Sequence, residues 1–230
     1  MTDSSKTLIA ALLDRTGSMS TSKEATEKGF NELINGQKTE PGDCLVTLAQ
    51  FDRHGNEPVP QWVYRNKPIA EVPPLVLDPR GMTPLLDATG QFVTQVGVDL
   101  AGLPEDDRPG TVICVIMTDG AENASQDWTW ERVSALIKQQ QEQYNWHFIF
   151  LGANIDAVKV GAAMGVPMAS AMTYNADDSQ AVMDSYSSVG AGVSGLRSGM
   201  ASAAAFSPED RARAMGKGKK ATTPSGGKKK

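Results

Sequence analysis

The sequence predicts an α/β domain: a doubly wound, mainly parallel sheet with one antiparallel edge strand and helices on both faces. Three observations point to it. Two continuous apolar runs, residues 7–14 and 111–119, each end in an aspartate, as strands buried on both faces of a parallel sheet do. Amphipathic segments alternate with strand-like runs along most of the chain, which calls for right-handed crossovers. One further run, QWVYRNKPIAEV, carries a proline that demotes its end, so it belongs at an antiparallel sheet margin.

The elements follow in order. After the strand at 7–14, residues 22–38 predict a helix with Ala25, Phe30, Leu33 and Ile34 as its apolar stripe and Ser or Thr at its cap. Residues 44–52 form a strand that HGNEPVP breaks, and the edge strand comes next. A second helix starts at Pro84, where a missing N–H does no harm. The strand at 111–119 is followed by a helix at 130–144 and a strand at 146–151, which Gly152 closes. A short helix at 157–165, a short strand at 169–174 and a glycine-interrupted helix at 178–200 complete the series, with no internal repeat. The expected organisation is a main domain over 1–175, a helical extension over 176–206 that packs on the domain or follows it, and a disordered basic tail over 207–230.

Composition narrows the class. The chain has 230 residues, 40% of them apolar, and no uncharged run long enough to cross a bilayer, so no membrane partner is expected. The apolar segment TLIAALL after Lys6 is too short for a secretory signal and runs into Asp-Arg instead of a small-residue cleavage site, so the expected location is cytoplasmic. Cys44 and Cys114 lie in separate strand-like runs and read as small core hydrophobes, and neither His54 nor His147 has partners at metal-ligand spacing. Eight of the 22 Lys and Arg residues, and none of the 27 Asp and Glu residues, lie from Arg211 onward. The body up to Asp210 therefore holds 14 basic against 27 acidic groups, a net of −13. The lysine-rich end offers a weak contact to nucleic acid or an acidic surface, and otherwise keeps the chain soluble.

The chemistry gathers where the strands end. Ligands of such sheets bind beyond the carboxyl ends of the strands, and both strand-ending aspartates, Asp14 and Asp119, belong there. In DRTGS, Asp14, Thr16 and Ser18 sit at alternate positions around the bend that Gly17 allows. Thr83 in GMTPL joins the same edge from the loop before the second helix. Two carboxylates and three hydroxyls make an all-oxygen set, which suits Mg²⁺ or Mn²⁺ and suits zinc or copper poorly. Such a set neutralises a divalent ion and leaves a position for an outside ligand.

DRTGSM at 14–19, GMTPL at 81–85 and TDG at 118–120 together resemble the three loops of the metal-ion-dependent adhesion site of von Willebrand factor type A domains. The resemblance covers about residues 6–175 and implies a Rossmann-like fold of that type, stand-alone and intracellular, as in bacterial and phage members. It implies Asp14, Thr16 and Ser18 as first-loop ligands, Thr83 as the second-loop ligand and Asp119 as a third-loop ligand, often through water. Thr16 stands where the family's motif has serine, keeping the hydroxyl and adding a methyl. Asp87 fits the TPLxDA pattern of many bacterial members as a turn or supporting residue. The implied function is protein binding, with an acidic side chain of a partner protein filling the open position of the metal and no bond made or broken.

Other features compete for attention. Trp128 and Trp130 offer an aromatic surface to a partner or to the core, and Asn154 and Asp156 point to the same sheet edge as rim residues. Gly161-Ala-Ala-Met-Gly165 lacks the ending of a phosphate loop and reads as close helix packing. The rival function is a Mg²⁺-dependent phosphohydrolase with Asp14 as nucleophile. That chemistry needs a second carboxylate at position 16, where threonine stands, and a lysine from a later loop.

Overall fold

A computed structural model describes residues 2–216. Six strands, β1 (Asp3–Asp14), β2 (Asp43–Phe51), β3 (Gln61–Pro68), β4 (Pro109–Thr118), β5 (His147–Ala153) and β6 (Ala171–Tyr174), form one sheet in the order β3-β2-β1-β4-β5-β6. Every neighbouring pair is parallel except β2 and β3, the antiparallel margin that the proline-bearing run predicted. Among the described residues six α-helices cover the sheet: α1 (Lys23–Lys38), α2 (Leu85–Ala101), α3 (Trp130–Tyr144), α4 (Ala157–Ala163), α5 (Ser179–Arg197) and α6 (Pro208–Met215). None of the described helices is long and apolar enough to cross a membrane.

The side-chain period of a strand explains why residues 8–13 of β1 are apolar without a break. Ile9, Ala11 and Leu13 face a core shared with Phe30 and Leu33 of α1 and Tyr186 and Val189 of α5. Leu8, Ala10 and Leu12 face the other way, into a core shared with Phe92 of α2, Val133 of α3 and Ala157 of α4. Each fully buried leucine or isoleucine here contributes about 1.5–3 kcal/mol, so both faces hold the strand fixed. The chain leaves β1 for β2 on one side and later returns to β4 on the other. The crevice this reversal opens lies past the carboxyl ends of β1 and β4.

The structure departs from the sequence expectation at several places. The first strand starts at Asp3, and Lys6 is still in register with Asp43. Ser22 precedes α1 without a side-chain cap; a tight turn over Gly17–Ser20 leads into the helix instead. The largest correction concerns 207–230. Residues 208–215 are helical, because Ser207 and Asp210 form a reciprocal capping box with Pro208 in the first turn. Ala214 is fully buried, and its carbonyl accepts the Asn175 amide at 2.9 Å, fastening α6 beside β6. The remainder of the expected tail, 217–230, lies outside the described residues. Within the expected extension, α5 packs into the core against α1, the first of the two arrangements the sequence left open.

Candidate metal centre

The first loop begins where β1 ends. Asp14 is fully buried between β2 and β4, and its two oxygens are used differently. Oδ1 accepts the Thr16 amide at 2.7 Å, bending the loop over the strand end, and Oδ2 accepts the Thr118 hydroxyl of β4 at 2.6 Å. Thr16 is extended, and Gly17–Ser20 turns tightly after it. This brings the Thr16 and Ser18 hydroxyls to 3.1 Å from one another, and Ser18 Oγ donates to Asp119 Oδ1 at 2.6 Å.

The second and third loops close the ring. The Thr83 amide donates to Asn123 Oδ1 at 2.9 Å, and the Thr83 carbonyl accepts the Asn123 amide at 3.1 Å. The loops also come close at Gly120, next to Asp119: a Cβ there would lie 2.9 Å from Thr83 Oγ1 and 3.8 Å from Ser18 Oγ. All five candidates, Asp14, Thr16, Ser18, Thr83 and Asp119, thus gather from three loops around the ends of β1 and β4.

Their electrostatics are unbalanced. Burial pushes the Asp14 carboxyl up to about 6, against the hydrogen bonds from Thr118 and Thr16 that favour its charge, and the nearby Asp119 adds to the rise. Burial raises Asp119 as well, opposed chiefly by Ser18. Two carboxylates held this way favour a cation between them. The donor set fits a divalent ion of hard character, being two carboxylates and three hydroxyls, and among the described residues no three His, Cys, Asp or Glu side chains converge. The thiols are elsewhere: Cys44, pushed up to about 11 by burial, and Cys114, raised by complete burial, are both free.

Several residues that shape the site carry no clear signal in the sequence. Glu122 Oε2 accepts the Leu86 amide at 2.9 Å while its Oε1 accepts the Ala124 and Ser125 amides, tying the third loop to the start of α2. Asp87, whose TPLxDA setting did signal it, is fully buried. Its Oδ1 accepts the Asp127 and Trp128 amides at 2.9 and 2.8 Å, and its Oδ2 accepts the Gln126 amide at 2.8 Å and Arg53 Nη2 at 2.6 Å. Arg15, Asp52 and Arg80 form a cluster beside the first two loops. Trp128 and Trp130 are half-buried against the α2–α3 core, and Arg132 lies 4.6 Å over the Trp128 ring. Asn154 turns in the left-handed region and Asp156 caps α4, so both shape the rim and neither enters the oxygen cluster. Gly161 packs α4 on β6, where a Cβ would lie 3.1 Å from that of Ala171.

No protein-family model and no curated protein sequence matches this chain. Its likeness is to solved structures. Proximal thread matrix protein 1 from the mussel byssus superposes with a TM-score of 0.55 at 14% identity over 84% of this chain and 46% of its own. The same protein with a zinc-occupied MIDAS motif gives 0.54 at 14% identity over 78% and 46%. A von Willebrand factor type A protein from Catenulispora acidiphila gives 0.52 at 13% identity over 83% and 43%. The chain spans less than half the length of each of these structures. With its strand order, its antiparallel margin and these neighbours, the chain has the von Willebrand factor type A fold.

Proposed function

We propose that this chain is a divalent-cation-dependent protein-binding module of the cytoplasm, and not an enzyme. Asp14, Thr16, Ser18, Thr83 and Asp119 hold Mg²⁺ or Mn²⁺, directly or through water, and a partner protein supplies an acidic side chain as the further ligand. When bound, the ion supplies a Lewis-acidic position that takes a carboxylate. The observation that carries the reading is the gathering of three hydroxyls and two carboxylates from three loops, with Asp14 fully buried at the centre. A mussel protein of the same fold with a zinc-occupied MIDAS motif supports the divalent ion, since one is held on this fold there. Two free, unpaired cysteines suit a reducing compartment.

The residues around the cluster support binding over hydrolysis. Thr16 stands where a second acidic group would serve as general acid, and His147 opens β5 at the opposite sheet edge from Asp14. Thermal melting of the full chain with Mg²⁺, Mn²⁺ or EDTA tests the metal, because a ligand of the folded state alone must stabilise it. Both ions raise the melting temperature of the wild type, and Asp14→Ala and Thr83→Ala abolish the rise. A wild type that melts identically with and without metal sinks the reading. Capture of an acidic-surfaced protein in Mg²⁺ that EDTA releases tests the module. Phosphoester turnover lost in Asp14→Asn would instead establish the enzyme.

A further inference from the structure

Three strands reach the carboxyl edge and are followed or ended by aspartate, yet only Asp14 and Asp119 belong to the oxygen cluster. The third, Asp52, directly follows β2 and is 2% exposed. Its Oδ1 accepts Arg15 Nε at 2.8 Å, and Arg15 Nη2 lies at the same distance from that oxygen. Its Oδ2 lies 3.1 Å from Arg80 Nε. Arg15 stands between Asp14 and Thr16 in the first loop, and Arg80 opens the stretch that carries Thr83 in the second. One buried carboxylate therefore anchors both loops.

The backbones meet above it. The Arg80 amide donates to the Arg15 carbonyl at 2.9 Å and the Gly17 amide to the Gly81 carbonyl at 3.4 Å. Gly81 has φ +70°, and a Cβ on it would lie 2.5 Å from the Arg53 carbonyl oxygen and 3.1 Å from Asp52 Oδ2, so the second loop rests on Asp52 itself. Arg53 and Met82 exchange two backbone hydrogen bonds at 2.9 and 3.2 Å, fixing the residue before Thr83. Glu57 pairs with the outer end of Arg80.

We propose that Asp52 is a positioning residue for the cation site: through Arg15 and Arg80 it sets the spacing between Thr16 and Ser18 on one loop and Thr83 on the other. The role rests on the metal reading above. Ligands carried by separate loops bind an ion well only if held in place beforehand, and partners that orient ligands typically govern about 10–100-fold in metal affinity.

The test uses the full chain and Asp52→Asn. In EDTA, amide hydrogen exchange at Gly17 and Arg80, the two loop-bridging donors, speeds about tenfold or more while Leu12 in β1 stays protected. Mn²⁺ affinity falls about tenfold or more. Asp52→Asn combined with Arg80→Gln restores the net charge and leaves the affinity low, because the brace is still missing. Unchanged exchange at Gly17 and Arg80 overturns the proposal, as does Mn²⁺ affinity within twofold of wild type or affinity recovered in the double variant. Should Asp52→Asn fail to fold, Arg80→Gln alone, at the partly exposed end of the cluster, must loosen the same two amides or the proposal fails. Wild type that binds no Mn²⁺ overturns the metal reading and the affinity role with it, while the exchange data still judge the brace.

Discussion

Ser18 Oγ and Asp119 Oδ1, 101 residues apart in sequence, are joined by a 2.6 Å hydrogen bond. The bond links a loop after β1 to a loop after β4, and it joins one hydroxyl to one carboxylate of the proposed cation site. The two ends differ in what they cost the metal-free protein. Ser18→Ala removes an exposed hydrogen bond and lowers stability in EDTA by about 0.5–1 kcal/mol. Asp119→Asn removes a carboxylate that burial disfavours, so stability in EDTA holds or rises. Both variants lose most of the Mn²⁺-induced rise in melting temperature. Denaturant titrations with and without Mn²⁺ check both halves, and a rise of wild-type size in Asp119→Asn refutes the assignment.

The Asp14 carboxyl makes the metal response pH-dependent. Its value in the folded protein is pushed up from 3.8 to about 6 by burial, so the folded state holds the proton more tightly than the unfolded chain. Below about pH 4 both states are protonated and nothing is lost. As pH rises from about 4 to about 6 the metal-free protein loses stability, by roughly 3 kcal/mol when Asp14 is fully ionised. A bound cation offsets that loss. The Mn²⁺-induced stabilisation is therefore small at pH 5, grows through pH 6 and levels off by pH 7. Melting curves across that range read it directly, and a response equal at pH 5 and pH 7 counts against Asp14 as a ligand.

What the sequence disclosed and what it hid follow from the range of the interactions involved. β1 and β4 were legible from their centres, residues 8–13 and 112–117, where burial on both faces leaves an unbroken apolar run, while the polar start of β1 was missed. The five residues proposed as oxygen donors stood out in the sequence because each sits in a short local motif. Asp52 was not, since its role depends on Arg15 and Arg80, brought to it only by the sheet register and the second loop. α5 looked weak because of Gly190, Gly192 and Gly195, yet those positions permit close packing: a Cβ on Gly192 would lie 3.2 Å from that of Ala204. α6 was masked by the charges of PEDRARAM, although the Ser207-to-Asp210 spacing of a capping box was present.

Asp87 is the second buried anchor of the edge, and removing its charge should loosen the third loop without touching a ligand. Four donors converge on it: the amides of residues 126, 127 and 128 and the Arg53 guanidinium. Breaking one side of a buried ion pair costs about 3–5 kcal/mol. At about 2–4 °C per kcal/mol for a chain of this size, Asp87→Ala lowers the melting temperature by roughly 6–20 °C. Asp87→Asn keeps one acceptor and falls less. Calorimetry on the two variants checks the order, and a shift under about 2 °C in Asp87→Ala contradicts the anchoring role.

α6 supplies the last expectation, because it covers the free edge of β6. Arg211 Nη1 donates to the Ala171 carbonyl at 2.7 Å, the Phe206 amide donates to the Ala169 carbonyl at 3.0 Å, and the Ala214 carbonyl takes the Asn175 amide. A short edge strand left open exposes unpaired backbone groups, so this cover protects β6 as well as stabilising it. Ser207→Ala removes the cap and costs about 1 kcal/mol. Arg211→Ala costs about 1–3 kcal/mol, leaving the Ala171 carbonyl unpaired beneath the helix. A chain ending at Phe206 loses more than both together, since the buried Ala214 contact goes as well. Hydrogen exchange separates these effects: the truncated chain loses protection first at the amides of β6 and at Asn175, while β1 and β4 keep theirs. Uniform loss of protection across the sheet would show that α6 supports the whole fold and not its edge.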